Sequence, residues 1–179
     1  MSLLPFDRAY WVRPDLLAGC YPGDPDPKEA NLKAAGLIRC GVSHCLNLME
    51  PDERDHRGDA FVSYEPALAN AAQQEGSIVT FSRHAIRDCS IPTVNEMIVI
   101  LDEIDAIVVA DRAVYVHCWG GRGRTGTVIG CHLIRHRLAS PETVFEKLAV
   151  LTAHNASVFR KIPETPAQES FLRNWKPNA

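Results

Sequence analysis

The segment AVYVHCWGGRGRTGT, from Ala113 to Thr127, constrains this chain more than any other. A run of apolar and β-branched residues without alternation reads as a strand buried on both faces, the kind found inside parallel sheets. A glycine-rich loop follows at once, and a helix is expected from about Arg124 to Arg137. In strand–loop–helix units of this kind, ligands bind beyond the carboxyl ends of the strands. The first amides of the helix have no intrahelical partner, and the helix dipole is positive there, so the loop suits an anion. Gly120, Gly121, Gly123 and Gly126 allow the backbone to curl into a nest of amides. Arg124 adds a planar fork able to hold two oxygens of one phosphoryl group.

The rest of the chain supplies matching elements. AYWVRPDLLAGCYPG predicts two short strands joined at Arg13-Pro14-Asp15, and DPKEANLKAAGLIRCG a helix stopped by Gly41. VSHCLNLM reads as a buried strand. Further on come a helix around Tyr64 to Gln74 and a strand within Ile78 to Ile86. The helix from Pro92 to Val109 has apolar residues at helical spacing and a Thr93/Glu96 capping box. Ser140-Pro141 opens a helix expected to reach about His154, and Thr165-Pro166 opens the last, ending near Trp175. The stretch EPDERDHRGD reads as a solvated charged loop. Alternating strands and helices predict an α/β fold: one domain over residues 1–179, with a mostly parallel central sheet flanked by helices on both faces.

The 179 residues suffice for one domain with a real core. Hydrophobic residues at 46% and charged residues at 23% give a soluble balance, and a net charge of −3 argues against a general nucleic-acid binder. No secretory leader is visible, and MIVILDEIDAIVV carries too many acids to span a bilayer. Cytoplasmic location is therefore expected, with the six cysteines as free thiols. The spacing of Cys40, His44 and Cys45 is poor for zinc, and neither metal nor cofactor is expected.

Cys118 sits at the strand end, beneath the predicted nest and near Arg124, and both neighbours favour a thiolate. A thiolate facing a bound phosphate is a nucleophile aligned for in-line attack on phosphorus. Thr125 would donate its hydroxyl to the sulfur as it leaves, and His117 would orient the loop through its backbone. A glycine-rich loop with an inert buried cysteine is the plainer reading of the same residues. It does not explain the joint pattern H-C-x-x-G-x-x-R-T.

HCWGGRGRT resembles the signature loop of the cysteine-dependent protein tyrosine phosphatase superfamily, and the layout resembles its small dual-specificity branch. DLLAGCYPG and GVSHCLNL are similar to other strands of that family, so the likeness covers most of the chain. The resemblance implies a phosphotyrosine phosphatase-like fold, with Cys118 attacking phosphorus, Arg124 binding phosphate and Thr125 aiding thiolate departure. The leaving group needs a proton, and Asp88 in RDCSIP is the candidate acid, on a loop similar to the family's acid loop. Gln168 in PETPAQ resembles a residue that positions water in some members, although a Thr165/Gln168 capping box alone explains the pair. Cys89, beside the acid, is read as an inert thiol, with a reversible disulfide to Cys118 as the alternative.

Substrate is less legible. Arg122 is expected at the rim. Trp119 either packs beneath the loop or stacks on a substrate ring. Arg83, His84, Arg87, Arg160 and Lys161 are candidates for a basic rim. The favoured expectation is a dual-specificity protein phosphatase acting on phosphotyrosine, phosphoserine and phosphothreonine. The alternatives are a phosphatase for phosphoinositides or inositol polyphosphates, and a phosphate-binding module without catalysis. A rhodanese-like sulfurtransferase fits the H-C-x5-R-T frame poorly. Oligomeric state is left open.

Overall fold

The computed structural model describes residues 3–110, 112–155 and 157–176. A five-stranded sheet forms the centre, in the order β1-β2-β5-β3-β4. Strands β1 (Ala9–Arg13) and β2 (Leu16–Gly19) form the expected antiparallel hairpin at one edge. The remaining neighbours are parallel: β2 with β5 (Ala113–His117), β5 with β3 (Val42–Asn47), and β3 with β4 (Thr80–Arg83). β5 lies in the middle of the sheet, with both of its faces covered.

Side chains alternate across the sheet and divide the core in two. Leu16, Ala18, Leu46, Val114 and Val116 pack on one face against Leu101 of α3 (Val94–Val109) and Ile129 of α4 (Gly123–Arg135). Leu148 of α5 (Val144–Leu151) and Leu172 of α6 (Pro166–Asn174) complete that layer. Leu17, Cys45 and Tyr115 point to the other face, against Leu37 of α1 (Pro27–Arg39) and Leu68 of α2 (Glu65–Gln74). The sheet is thus mostly parallel with helices on both faces, as expected.

Local chemistry sets the helix ends. Asp26 caps α1 by accepting from the Lys28 amide, and Gly41 follows its end at φ +83°. The capping box of Thr93 and Glu96 starts α3. One expected helix is shorter than its pattern. The segment opened by Ser140-Pro141 begins as a turn in which Thr143 Oγ1 accepts from the Ser140 amide at 2.9 Å. Helix α5 starts only at Val144 and ends at Leu151, and a separate 3-10 turn covers Ala153–Asn155. The Thr152 hydroxyl bonds back to the Leu148 carbonyl at 2.9 Å, the local competition that favours helix ends.

Candidate active site

β5 delivers Cys118 to the carboxyl edge of the sheet, and the chain then turns into α4. The turn depends on Gly121, which has φ +74°. A Cβ there would lie 2.5 Å from the Gly19 carbonyl carbon of β2, so a side chain is excluded by conformation and by space. In this curl the Gly121 amide donates to Cys118 Sγ at 3.3 Å, and the sulfur is almost fully buried. Neighbours brace the loop from outside. The Tyr21 amide donates to the Trp119 carbonyl at 3.0 Å, and Arg8 Nη2 to the Gly120 carbonyl at 3.2 Å. Among the described residues no side chain caps α4, whose N-cap is Arg122, so its first amides remain available to an anion.

His117 lies beneath the loop and is fully buried. Its Nε2 pairs with the Tyr64 hydroxyl at 2.8 Å, and its Nδ1 is 3.4 Å from the Cys118 carbonyl oxygen. Burial pushes its pKa down to about 3, which leaves a neutral ring locked against Tyr64 and stacked on Tyr115.

Arg124 is also buried, and a residue of the charged loop accounts for it. Glu53 takes both guanidinium ends, Nη1 at 2.6 Å and Nη2 at 2.8 Å. The Ile86 carbonyl accepts from Nη1 at 3.1 Å, and Asp88 Oδ1 lies 2.9 Å from Nη2. Burial opposes the charge, but the Glu53 hydrogen bonds, followed by the charges of Cys118, Glu53 and Asp88, outweigh it and hold the guanidinium above its ordinary pKa. Reading EPDERDHRGD as wholly solvated is therefore corrected. Glu53 keeps only 8% of its side chain exposed, because a buried arginine needs a buried carboxylate. Among the described residues, Arg124 Nε makes no hydrogen bond, so part of the fork is open.

A cavity of about 660 Å³ opens over these groups, lined among others by Cys118, Arg124, Asp88 and Cys89. Asp88 is half-exposed on the loop between β4 and α3. The loop is tied down from below, since Gln168 Nε2 donates to the Ser90 carbonyl at 3.1 Å. Gln168 Oε1 meanwhile accepts from the Glu164 and Thr165 amides, each at 3.1 Å. Gln168 thus completes the capping box of α6 and buries its whole side chain behind the loop, with its amide engaged away from the cavity. The Thr125 hydroxyl is buried and lies 3.5 Å from the Gly19 carbonyl; among the described residues it makes no hydrogen bond to Cys118 Sγ. Cys89 adopts φ +57° and is exposed. Partial desolvation and then the adjacent Asp88 charge push its thiol pKa up, the reverse of an activated thiol.

The rim differs from the expected one. Arg83 donates to the Met49 carbonyl at 2.7 Å, His84 pairs with Glu103 at 2.5 Å, and Lys161 pairs with Glu169 at 2.7 Å. Arg87 is exposed but does not line the cavity. Of that group only Arg160 reaches it, joined by Arg122 and by Arg8 from the entry segment. Arg122 pairs with Glu164 across the opening. Nothing in the sequence marks Arg8, which reaches the loop through the β1–β2 fold. Trp119 packs at the side of the loop, against His56 at 4.2 Å and Phe61 at 5.4 Å between ring centroids. It separates the cavity from a neighbouring one of about 900 Å³ that shares Arg8 and includes Phe6, Tyr21 and Phe61.

A family model described as "Polymorphic toxin system, DSP-PTPase phosphatase" matches residues 36–138, more than half of the chain. The chain is similar to two curated proteins of Arabidopsis thaliana. It is 32% identical over 131 residues to phosphatidylglycerophosphate phosphatase PTPMT1, covering 73% of this chain and 33% of that protein. It is 33% identical over 139 residues to phosphatidylglycerophosphate phosphatase PTPMT2, covering 78% of this chain and 53% of the relative. The chain therefore spans about a third and about half of these two relatives. Among solved structures, Tk-PTP in its active form superposes with a TM-score of 0.64 at 20% identity, covering 96% of this chain and 98% of that one. With a cysteine-bearing strand, an amide curl and a buried arginine at one cavity, and a family match across that core, this chain belongs to the DSP-PTPase phosphatases, the dual-specificity branch of the cysteine-dependent protein tyrosine phosphatase superfamily.

Proposed function

We propose that the protein hydrolyses phosphomonoesters through a phosphocysteine intermediate. The observation that carries this reading is the convergence of Cys118 Sγ, Arg124 and Asp88 on one cavity. A phosphate entering over Sγ meets the free amides at the start of α4 and the open Nε of Arg124. It competes with Asp88 for Nη2, so binding releases the acid's carboxyl group where it is needed. The thiolate attacks phosphorus, the P–O bond to the leaving group breaks, and Asp88 gives its proton to the departing oxygen. Water then attacks the phosphocysteine, Asp88 takes up a proton from it, and the S–P bond breaks. Thr125 is assigned to the departing sulfur through its loosely held hydroxyl. Gln168 is assigned a positioning role, holding the acid loop through Ser90.

For substrate, we favour a phosphomonoester on a glycerol-type lipid headgroup over a phosphoprotein. The two curated relatives are named for such a substrate. Arg8 and Arg160 suit a second negative charge, and the adjoining cavity offers Phe6, Tyr21 and Phe61 to apolar substituents. Phosphoprotein is the second reading, supported by the Trp119 and His56 rings, which suit an aryl phosphate. Wild type and Cys118→Ser assayed on short-chain phosphatidylglycerophosphate, a phosphoinositide, and phosphotyrosine and phosphothreonine peptides test both levels. Highest kcat/KM on phosphatidylglycerophosphate, with a loss of roughly 10³-fold or more in Cys118→Ser, is expected. Preference for a peptide would reverse the substrate assignment. Full activity in Cys118→Ser would overturn the mechanism.

A further inference from the structure

The far end of α4 carries a second cluster that the phosphatase chemistry does not use. His132 and His136 are one helical turn apart, with ring centroids 4.3 Å from each other. Asp105 of α3 faces both: its Oδ1 lies 2.8 Å from His136 Nε2 and 3.8 Å from His132 Nδ1. One ligand atom from each of the three lies within 4.8 Å of the others. The two distances from Asp105 Oδ1 bracket the roughly 3–3.5 Å that separates donors around one small cation held at about 2.0–2.2 Å.

The decisive feature is His132. It is fully buried, yet among the described residues neither ring nitrogen has a hydrogen-bond partner. A buried imidazole without a partner is disfavoured, and a metal ion is one partner that suits it. The surroundings fit. Imidazole nitrogen with one carboxylate is a donor set for zinc and similar first-row divalent ions. The second oxygen of Asp105 lies 3.6 Å from Arg135 Nη1, an outer contact that would orient the carboxylate. The carboxyl end of a helix, where α4 ends, favours a cation. Asp105 and His136 are about a quarter and a third exposed, so an ion can enter from solvent and keep a water in its fourth position.

We propose that Asp105, His132 and His136 form a zinc-type divalent metal site that clips α3 to the carboxyl end of α4. The 13-residue helix spans about 20 Å, so this site lies far from Cys118 and acts on stability. The test titrates the full chain with zinc and with cobalt(II), reading stoichiometry, melting temperature and the visible cobalt spectrum. Wild type is expected to bind about one equivalent at this site, raise its melting temperature by roughly 5–10 °C at a hundredfold excess over Kd, and show tetrahedral cobalt bands without sulfur charge transfer. His136→Ala and Asp105→Ala should each lose that equivalent, that shift and those bands, while keeping any binding to thiols. Should His136→Ala fail to fold by circular dichroism, Asp105→Ala decides alone. Unchanged binding and shift in a folded variant, or no zinc-dependent shift in wild type, overturns the proposal.

Discussion

Asp88 and Arg124 are coupled before any substrate arrives, because Asp88 Oδ1 sits 2.9 Å from Nη2. The acid role assigned to Asp88 makes a differential prediction. Asp88→Ala should lower kcat by about 10²–10⁴ on an alkyl phosphate and much less on an aryl phosphate with a good leaving group, since only the former needs the proton. Steady-state kinetics on a matched substrate pair reads this directly, and equal losses would remove Asp88 from the role. Sequence reading misses Glu53 as well as Arg8. The neighbours of Glu53 are charged, and a single acid in EPDERDHRGD carries no mark of burial. Only the fold brings it to Arg124 from 71 positions away. Glu53→Gln leaves a buried guanidinium short of its counter-charge. A loss of about 3 kcal/mol or more is expected, read by denaturant unfolding. Added inorganic phosphate should recover more stability in the variant than in wild type, because it supplies an anion to Arg124.

At the scale of elements, the loop after β5 is held by geometry that tolerates little change. Gly121→Ala places a methyl group 2.5 Å from β2 backbone at a positive φ. The loop must shift, and a displaced amide curl no longer matches the phosphate. Turnover should fall by roughly 10²-fold, with stability lowered by about 1–3 kcal/mol, measured by kinetics alongside thermal unfolding. The elements themselves were largely legible. The apolar run of β5, the capping boxes of α3 and α6 and the glycine after α1 each act within a few residues. The short α5 was not, because Ser140, Thr143 and Thr152 redirect backbone hydrogen bonds in ways an apolar pattern does not report.

At the scale of the whole molecule, the central strand ties stability to pH. His117 is neutral in the fold, with its pKa pushed to about 3, and ordinary in the unfolded chain. The unfolded state therefore binds the extra proton, so this contribution is complete above about pH 6.5 and is lost as pH falls toward 3. By pH 5 the loss is about 2 kcal/mol, seen as a falling melting temperature. His117→Asn, while less stable at neutral pH, should show a flatter profile over that range.

By itself the sequence determined the strand–loop–helix unit, the place of Cys118 at the strand end and the alternation of elements, because these depend on contacts within a turn or on a period of two or four residues. Only tertiary structure decided which acid lies beside Arg124, which arginines reach the rim and that Gln168 stands behind the acid loop. Those outcomes depend on side chains from β1, the Glu53 turn and α6 meeting around one cavity. Distances along the chain do not encode such meetings, which are settled by how the sheet is ordered and which face each helix covers.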